Sequence, residues 1–146
     1  MARNALGTII RLRRLALDQA SRHLMQSSQA ETQAGDALAE AEAAIAREMD
    51  SATNLAGDDL AVEAFGRWLK QARENTRHAS DAYQRAAAEA RRARANVSAA
   101  QAALEAAEAL ELSLRGEQTV QRQREAQRDT DEIAQNLVTR VNAVQC

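Results

Sequence analysis

The stretch ARENTRHASDAYQRAAAEARRARANVSAAQAALEAA, residues 72–107, decides the fold. Alanine occupies every seventh position of it: Ala72, Ala79, Ala86, Ala93, Ala100 and Ala107. Three residues before each rung stands a second series, Leu69, Thr76, Tyr83, Ala90, Val97 and Leu104. Alternating steps of three and four, held this long, are the a and d positions of a coiled coil. A small side chain at every d position admits a second helix at close range. Residues 6–55 supply one, with Ile10, Leu17, Leu24, Glu31, Leu38 and Ile45 at a, and Leu6, Arg13, Ala20, Ser27, Ala34, Ala41 and Glu48 at d.

The two series fit one antiparallel pairing. Folding about the Asp58–Asp59 bond sets Ile10 against Ala107, Leu17 against Ala100, Leu24 against Ala93, Leu38 against Ala79 and Ile45 against Ala72. Further layers pair Arg13 with Leu104, Ala20 with Val97, Ala34 with Tyr83 and Ala52 with Phe65. Large faces small in most layers, as close packing at constant separation requires. The expectation is an all-α chain, a long two-helix antiparallel coiled-coil hairpin forming a single domain over residues 1–146. Helix one covers about residues 5–55, beginning near Asn4 or Thr8, and a turn covers about 55–59. A longer helix two covers about 60–143 and ends in a C-terminal overhang. A slip of one heptad is the main competing register. Gly57 suits the helix stop and Asp58 or Asp59 the next N-cap. One glycine costs a helix only about 1 kcal/mol, so an unbroken rod is the competing fold.

Composition agrees with long helices. Proline is absent, aromatics make up 2% of residues, and alanine, glutamate, glutamine, arginine and leucine dominate, which leaves too few large side chains for a globular core. The single cysteine, Cys146, allows no internal disulfide and reads as a plain terminal thiol in a reducing compartment. No run approaches the roughly 20 apolar residues that span a bilayer. Arg11, Arg13 and Arg14 interrupt any signal-peptide core.

Charge falls in blocks: net +4 over residues 1–22, −8 over 23–66, +5 over 67–100 and −3 over 101–146. The hairpin lays opposite blocks side by side, with the basic N-terminus beside Glu105, Glu108 and Glu111. A parallel homodimer of the whole chain would lay −8 on −8. Exposed ion pairs are worth only roughly 0.2–1 kcal/mol each, so the blocks select orientation more than they add stability. The polar seam residues Arg13, Ser27 and Glu31 read as register devices or as partner contacts.

No catalytic constellation is visible. His23 and His78 stand alone, without a carboxylate or cysteine at ligand spacing, and no metal site or cofactor is expected. A glycine-rich phosphate loop, a CxxC pair and a nucleophile elbow are all lacking, and pairs such as Glu40/Glu42 sit on a solvated helix. Arg91, Arg92 and Arg94 lack stacking aromatics and face acidic surroundings, which argues against nucleic acid. Phe65 and Trp68 either pack the hairpin tip or, for Trp68, anchor a partner. Beyond Leu110, Leu112 and Leu114 comes Gly116 and a polar run, and apolar periodicity returns at Ile133, Leu137, Val141 and Val144. That stripe, past the end of helix one, reads as a binding segment or a frayed tail.

The length, the turn near Gly57, Trp68 early in helix two, the opening Ile10-Arg11-Leu12-Arg13 and the tail Gln127-Arg128-Asp129-Thr130-Asp131-Glu132-Ile133-Ala134-Gln135 together resemble the FliJ family. FliJ proteins are the flagellar type III export stalks, related to the YscO proteins of injectisomes. The resemblance implies a non-enzymatic stalk and adaptor, without cofactor, that binds a hexameric export ATPase as the γ subunit does in rotary ATPases. It implies two further partners, the membrane export gate protein and export chaperones. The implied location is cytoplasmic, at the inner face of the membrane only through those partners. The ATPase-binding residues it implies are Leu6, Ile10, Arg13, Arg14, Arg122, Arg124, Arg128, Asp131, Glu132 and Gln135. The implied gate-binding residues are Leu38, Ile45, Trp68 and Ala72, although the heptad register puts Leu38, Ile45 and Ala72 in the seam. The other class left open by the residues is a structural coiled-coil scaffold or dimerisation module.

Overall fold

A computed structural model describes residues 2–53 and 57–145, with side chains described from residue 4 onward. The chain is all-α: α1, Ala2–Thr53, and α2, Asp59–Val144, of 52 and 86 residues, pack against each other as a helical hairpin with α2 the longer arm. No helix among the described residues is long and apolar enough to cross a membrane.

α1 begins close to the expected Asn4. Thr8 lies inside the helix, where its hydroxyl donates to the Asn4 carbonyl at 3.0 Å, satisfying itself one turn back instead of capping. At the turn, Asn54, Leu55 and Ala56 fall outside the described residues. Gly57 has φ 122°, a region closed to L side chains. Asp58 is the N-cap of α2: its Oδ1 accepts the N–H groups of Leu60 at 3.1 Å and Ala61 at 3.4 Å, and its carbonyl accepts from Val62 at 3.0 Å. Asp59 adds a negative charge in the first turn, where the helix dipole favours one.

The chain divides into two compact units. The larger, Arg13–Ala102, holds most of the paired seam. Ala90 and Ala93 are wholly buried, and Ala87 and Ser27 nearly so. The leucines and isoleucine at a in α1, Leu17, Leu24, Leu38 and Ile45, are half-buried, as are Ala72, Ala79, Ala86 and Ala100 in α2. Tyr83 lies over Gly35: a Cβ there would stand 3.4 Å from the ring. Ala52 and Phe65 line one cleft. Both neighbourhoods match the layers of the fold about Asp58–Asp59. Two expected seam residues, Arg13 and Glu48, are exposed instead. A two-helix seam is narrow, so long charged side chains at its edge extend to water while their stems cover it.

The smaller unit joins the described residues of Met1–Leu12 and Ala103–Cys146. Leu6 and Ile10 are buried, and Leu104, Ala107, Glu111 and Leu114 are half-buried. From Arg115 to Gln145 every residue is exposed, yet the helix continues through Gly116 to Val144. This overhang of about 30 residues measures about 45 Å at 1.5 Å per residue. Cys146 lies outside the described residues.

The close approach at Ala90 and Ala93 generates the first prediction. Ala93→Leu inserts volume where nothing is left open and costs about 1–3 kcal/mol in thermal or denaturant melting. Gly57→Ala is destabilising through its backbone, by about 1–3 kcal/mol. Gly116→Ala meets nothing within 4 Å and raises the helicity of the overhang, by about 1 kcal/mol.

Candidate functional site

The sequence-implied residues fall into three environments. Leu6 and Ile10, at 8% and 5% exposure, are consumed by packing within the smaller unit and present almost no surface. Arg13 and Arg14 are exposed on α1 in the larger unit. Arg122, Arg124, Arg128, Asp131, Glu132 and Gln135 are all exposed on the overhang of α2. There, bonds one turn apart hold side chains along the helix: Gln127 Nε2 donates to Asp131 at 2.9 Å and Gln121 Nε2 to Glu125 at 3.0 Å. The residues implied for gate binding are likewise divided. Leu38, Ile45 and Ala72 are half-buried, whereas Trp68 is 36% exposed. Trp68 stacks on Phe65 with ring centroids 5.9 Å apart and planes 25° from parallel, which restrains the indole while part of it stays exposed.

Beside that pair is an open apolar cleft of about 290 Å³ lined by Met49, Ala52, Thr53, Ala61, Val62 and Phe65. Leu60 and Val62 are exposed next to it. Sequence reasoning paired Ala52 with Phe65 in the tip but missed the cleft, because Met49, Thr53 and Ala61 lie off the seam positions of the heptad.

Interhelical bonds cross the larger unit, among them those of Glu31 and His23. Arg94 Nη2 donates to Glu31 Oε2 at 3.0 Å, so the polar a residue Glu31 finds its partner on the opposite helix. His23 Nε2 lies 3.0 Å from Glu89 Oε1, and Arg92 Nη2 lies 2.8 Å from the other oxygen of Glu89. His23 is therefore not the lone histidine its local sequence suggests; its carboxylate is 66 residues away and arrives only by folding. The His23 hydrogen bond first, and then the Arg92 charge, hold the Glu89 carboxyl below the usual carboxylate range. No group of three metal-ligating side chains occurs among the described residues.

The overhang carries a second pattern. Continuing the first seam in sevens from Ala107 and Leu104 gives Leu114 and Glu111, and then only polar residues: Gln121, Arg128, Gln135 and Asn142, with Gln118, Glu125, Glu132 and Thr139. A different series, in steps of four and three, runs without a charge from Gly116 and Val120 through Gln127 and Thr130 to Ala134, Leu137, Val141 and Val144. At 100° per residue the charges between Gly116 and Val144 all fall outside a sector of about 140° that holds this series. The signal was present in the sequence as the return of periodicity at Ile133. Its phase shift from the first seam becomes visible once the first seam is seen to end at Leu114. The hydroxyls of Thr119 and Thr130 donate to the carbonyls of Arg115 and Ala126, both at 2.9 Å, so neither must be desolvated unpaired if this face is covered.

The described surface offers open apolar clefts and exposed charges of both signs on long helices. Comparisons of the chain with protein-family models, with curated protein sequences and with solved structures found no match.

The Glu89 cluster generates a pH prediction. Its folded pKa is depressed, so its contribution to stability is present above the ordinary value of 4.5 and is lost as pH falls through the folded pKa. Glu89→Gln is expected to flatten the loss of melting temperature on acidification below about pH 4.5. In carboxyl NMR, Glu89 titrates below the ordinary glutamate value of 4.5, and His23→Ala moves its midpoint up. An unmoved midpoint excludes the His23 contact in solution.

Proposed function

We propose that this chain is a non-enzymatic stalk and adaptor of a type III protein export apparatus. It binds the hexameric export ATPase and links it to the membrane export gate and to export chaperones. The observation that supports this reading most is the overhang: about 30 residues of helix beyond the last half-buried side chain, exposed throughout and carrying both signs of charge. Arg122, Arg124 and Arg128 precede Asp131, Glu132 and Gln135 by one or two turns. Arginine forks and carboxylates on one helix match a ring lumen lined with charges of both signs. The FliJ resemblance supplies the identity of that ring.

In this reading the buried Leu6 and Ile10 brace the base of the overhang, and residues 122–135 enter the ring. The gate meets the hairpin around Trp68, with Leu38, Ile45 and Ala72 shaping the helix pair behind it. Binding one closed state of the ring better than the open one raises ATP turnover, since a ligand shifts an equilibrium only by its differential affinity. The chain works in the cytoplasm and reaches the membrane only through its partners. A structural coiled-coil module is the second reading, favoured by the charge-free face of the overhang.

Arg124→Glu with Arg128→Glu is expected to leave helicity and melting within about 0.5 kcal/mol of wild type, because both sites are exposed. The same pair weakens binding to the export ATPase, and the wild-type complex loosens as salt rises. Deleting residues 117–146 abolishes ring binding and ATPase stimulation while the hairpin stays folded. A truncated chain that binds the ATPase as well as the full one overturns the assignment of the overhang.

A further inference from the structure

We infer that the charge-free face of the overhang pairs with a second copy of this chain, as a parallel, in-register two-stranded coiled coil centred on Leu137 and Val141. This inference does not rest on the export reading. The first seam cannot supply the partner, because its own heptad turns wholly polar after Leu114. In the second heptad, Val120, Gln127, Ala134 and Val141 fall at a, and Gln123, Thr130, Leu137 and Val144 at d. A β-branched residue at a beside leucine at d is the combination that favours two parallel strands. Leu137, Val138, Val141 and Val144 are each more than half exposed, so in a single chain they face water.

The flanking positions choose the orientation. In a parallel in-register pair, each g residue meets the e residue five places on in the other copy. The contacts are Thr119 with Arg124, Ala126 with Asp131, Ile133 with Val138 and Arg140 with Gln145. No contact brings two charges together, and Ile133 with Val138 closes the apolar core on both sides. The antiparallel pairing that overlaps the same stretch most fully sets Asp131 against Asp131 of the other copy, a like-charge contact. The net −8 block of residues 23–66 bars a parallel dimer along the whole chain but lies outside the overhang, so the contact is confined to the C-terminal end. Polar side chains at Gln123, Gln127 and Thr130 make the pairing modest and reversible.

Sedimentation equilibrium on the full chain tests this. The expected result is a monomer–dimer equilibrium. Leu137→Asp with Val141→Asp should raise the dissociation constant about a hundredfold or more, since two charges enter an apolar seam. Trp68→Ala should leave it unchanged. Spin labels on the outward positions Gln118 and Thr139 of the otherwise wild-type chain should give short distances between copies at both sites. A monomer at the highest soluble concentration overturns the inference, as does a dimer indifferent to the double substitution. Long distances at either label overturn the parallel register.

Discussion

The hairpin depends on how closely two helices approach along a row of alanines. Ala90 and Ala93 are completely enclosed, while no large side chain in the described chain is fully buried. That inverts the usual globular core, where bulky residues fill the centre. Here the small residues set the interhelical distance, and Leu17, Leu24, Leu38 and Ile45 lie across them half-covered. The polar contacts follow from that distance. Glu31 reaches Arg94, and His23 reaches Glu89, only because the backbones run close enough for side chains at the seam's edge to span it. Each such exposed bond adds little energy, yet each penalises a shifted register, where its partner would be missing.

Gly35 and Tyr83 show the same constraint from the other side. The one tyrosine needs a position opposite it with almost no side chain, and Gly35 is there, with its Cβ direction 3.4 Å from the ring. Slipping one heptad would bring that ring against residues with side chains of their own. Alanine sets the spacing, and the tyrosine–glycine pair marks the register. At Leu114 the first seam ends, and the apolar residues that resume farther along α2 lie on another face. One continuous helix therefore carries two apolar faces of different phase, the first covered by its own chain and the second exposed.

Much of this was legible in the residues. Periodicity gave both helices and their order, and a preferred register with a one-heptad slip as its rival; the meeting of Tyr83 with Gly35 separates the two. Composition alone excluded a globular core. What stayed illegible depended on distance in three dimensions. His23 reads as isolated because Glu89 is far away in sequence, and the tip cleft adds to the expected Ala52–Phe65 layer residues off the seam, Met49, Thr53 and Ala61. Arg13 and Glu48 occupy heptad positions but are too long and charged for a narrow seam to enclose, a decision made by side-chain reach. Leu6 and Ile10 could be read as seam or as partner surface, and only their burial separates the two.

The thinness of the seam also governs how the molecule responds to heat. The chain of 15.9 kDa leaves 11467 Å² of surface in water, where a compact chain of that mass would leave roughly 7,400 Å². Unfolding therefore uncovers comparatively little apolar area per residue. The heat capacity of unfolding scales with that area and falls below the ordinary figure of about 12–15 cal/mol/K per residue. A small heat capacity flattens the stability curve, and a small exposed area lowers the sensitivity to urea. A helix pair spaced by alanines therefore keeps what stability it has over a wide range of temperatures.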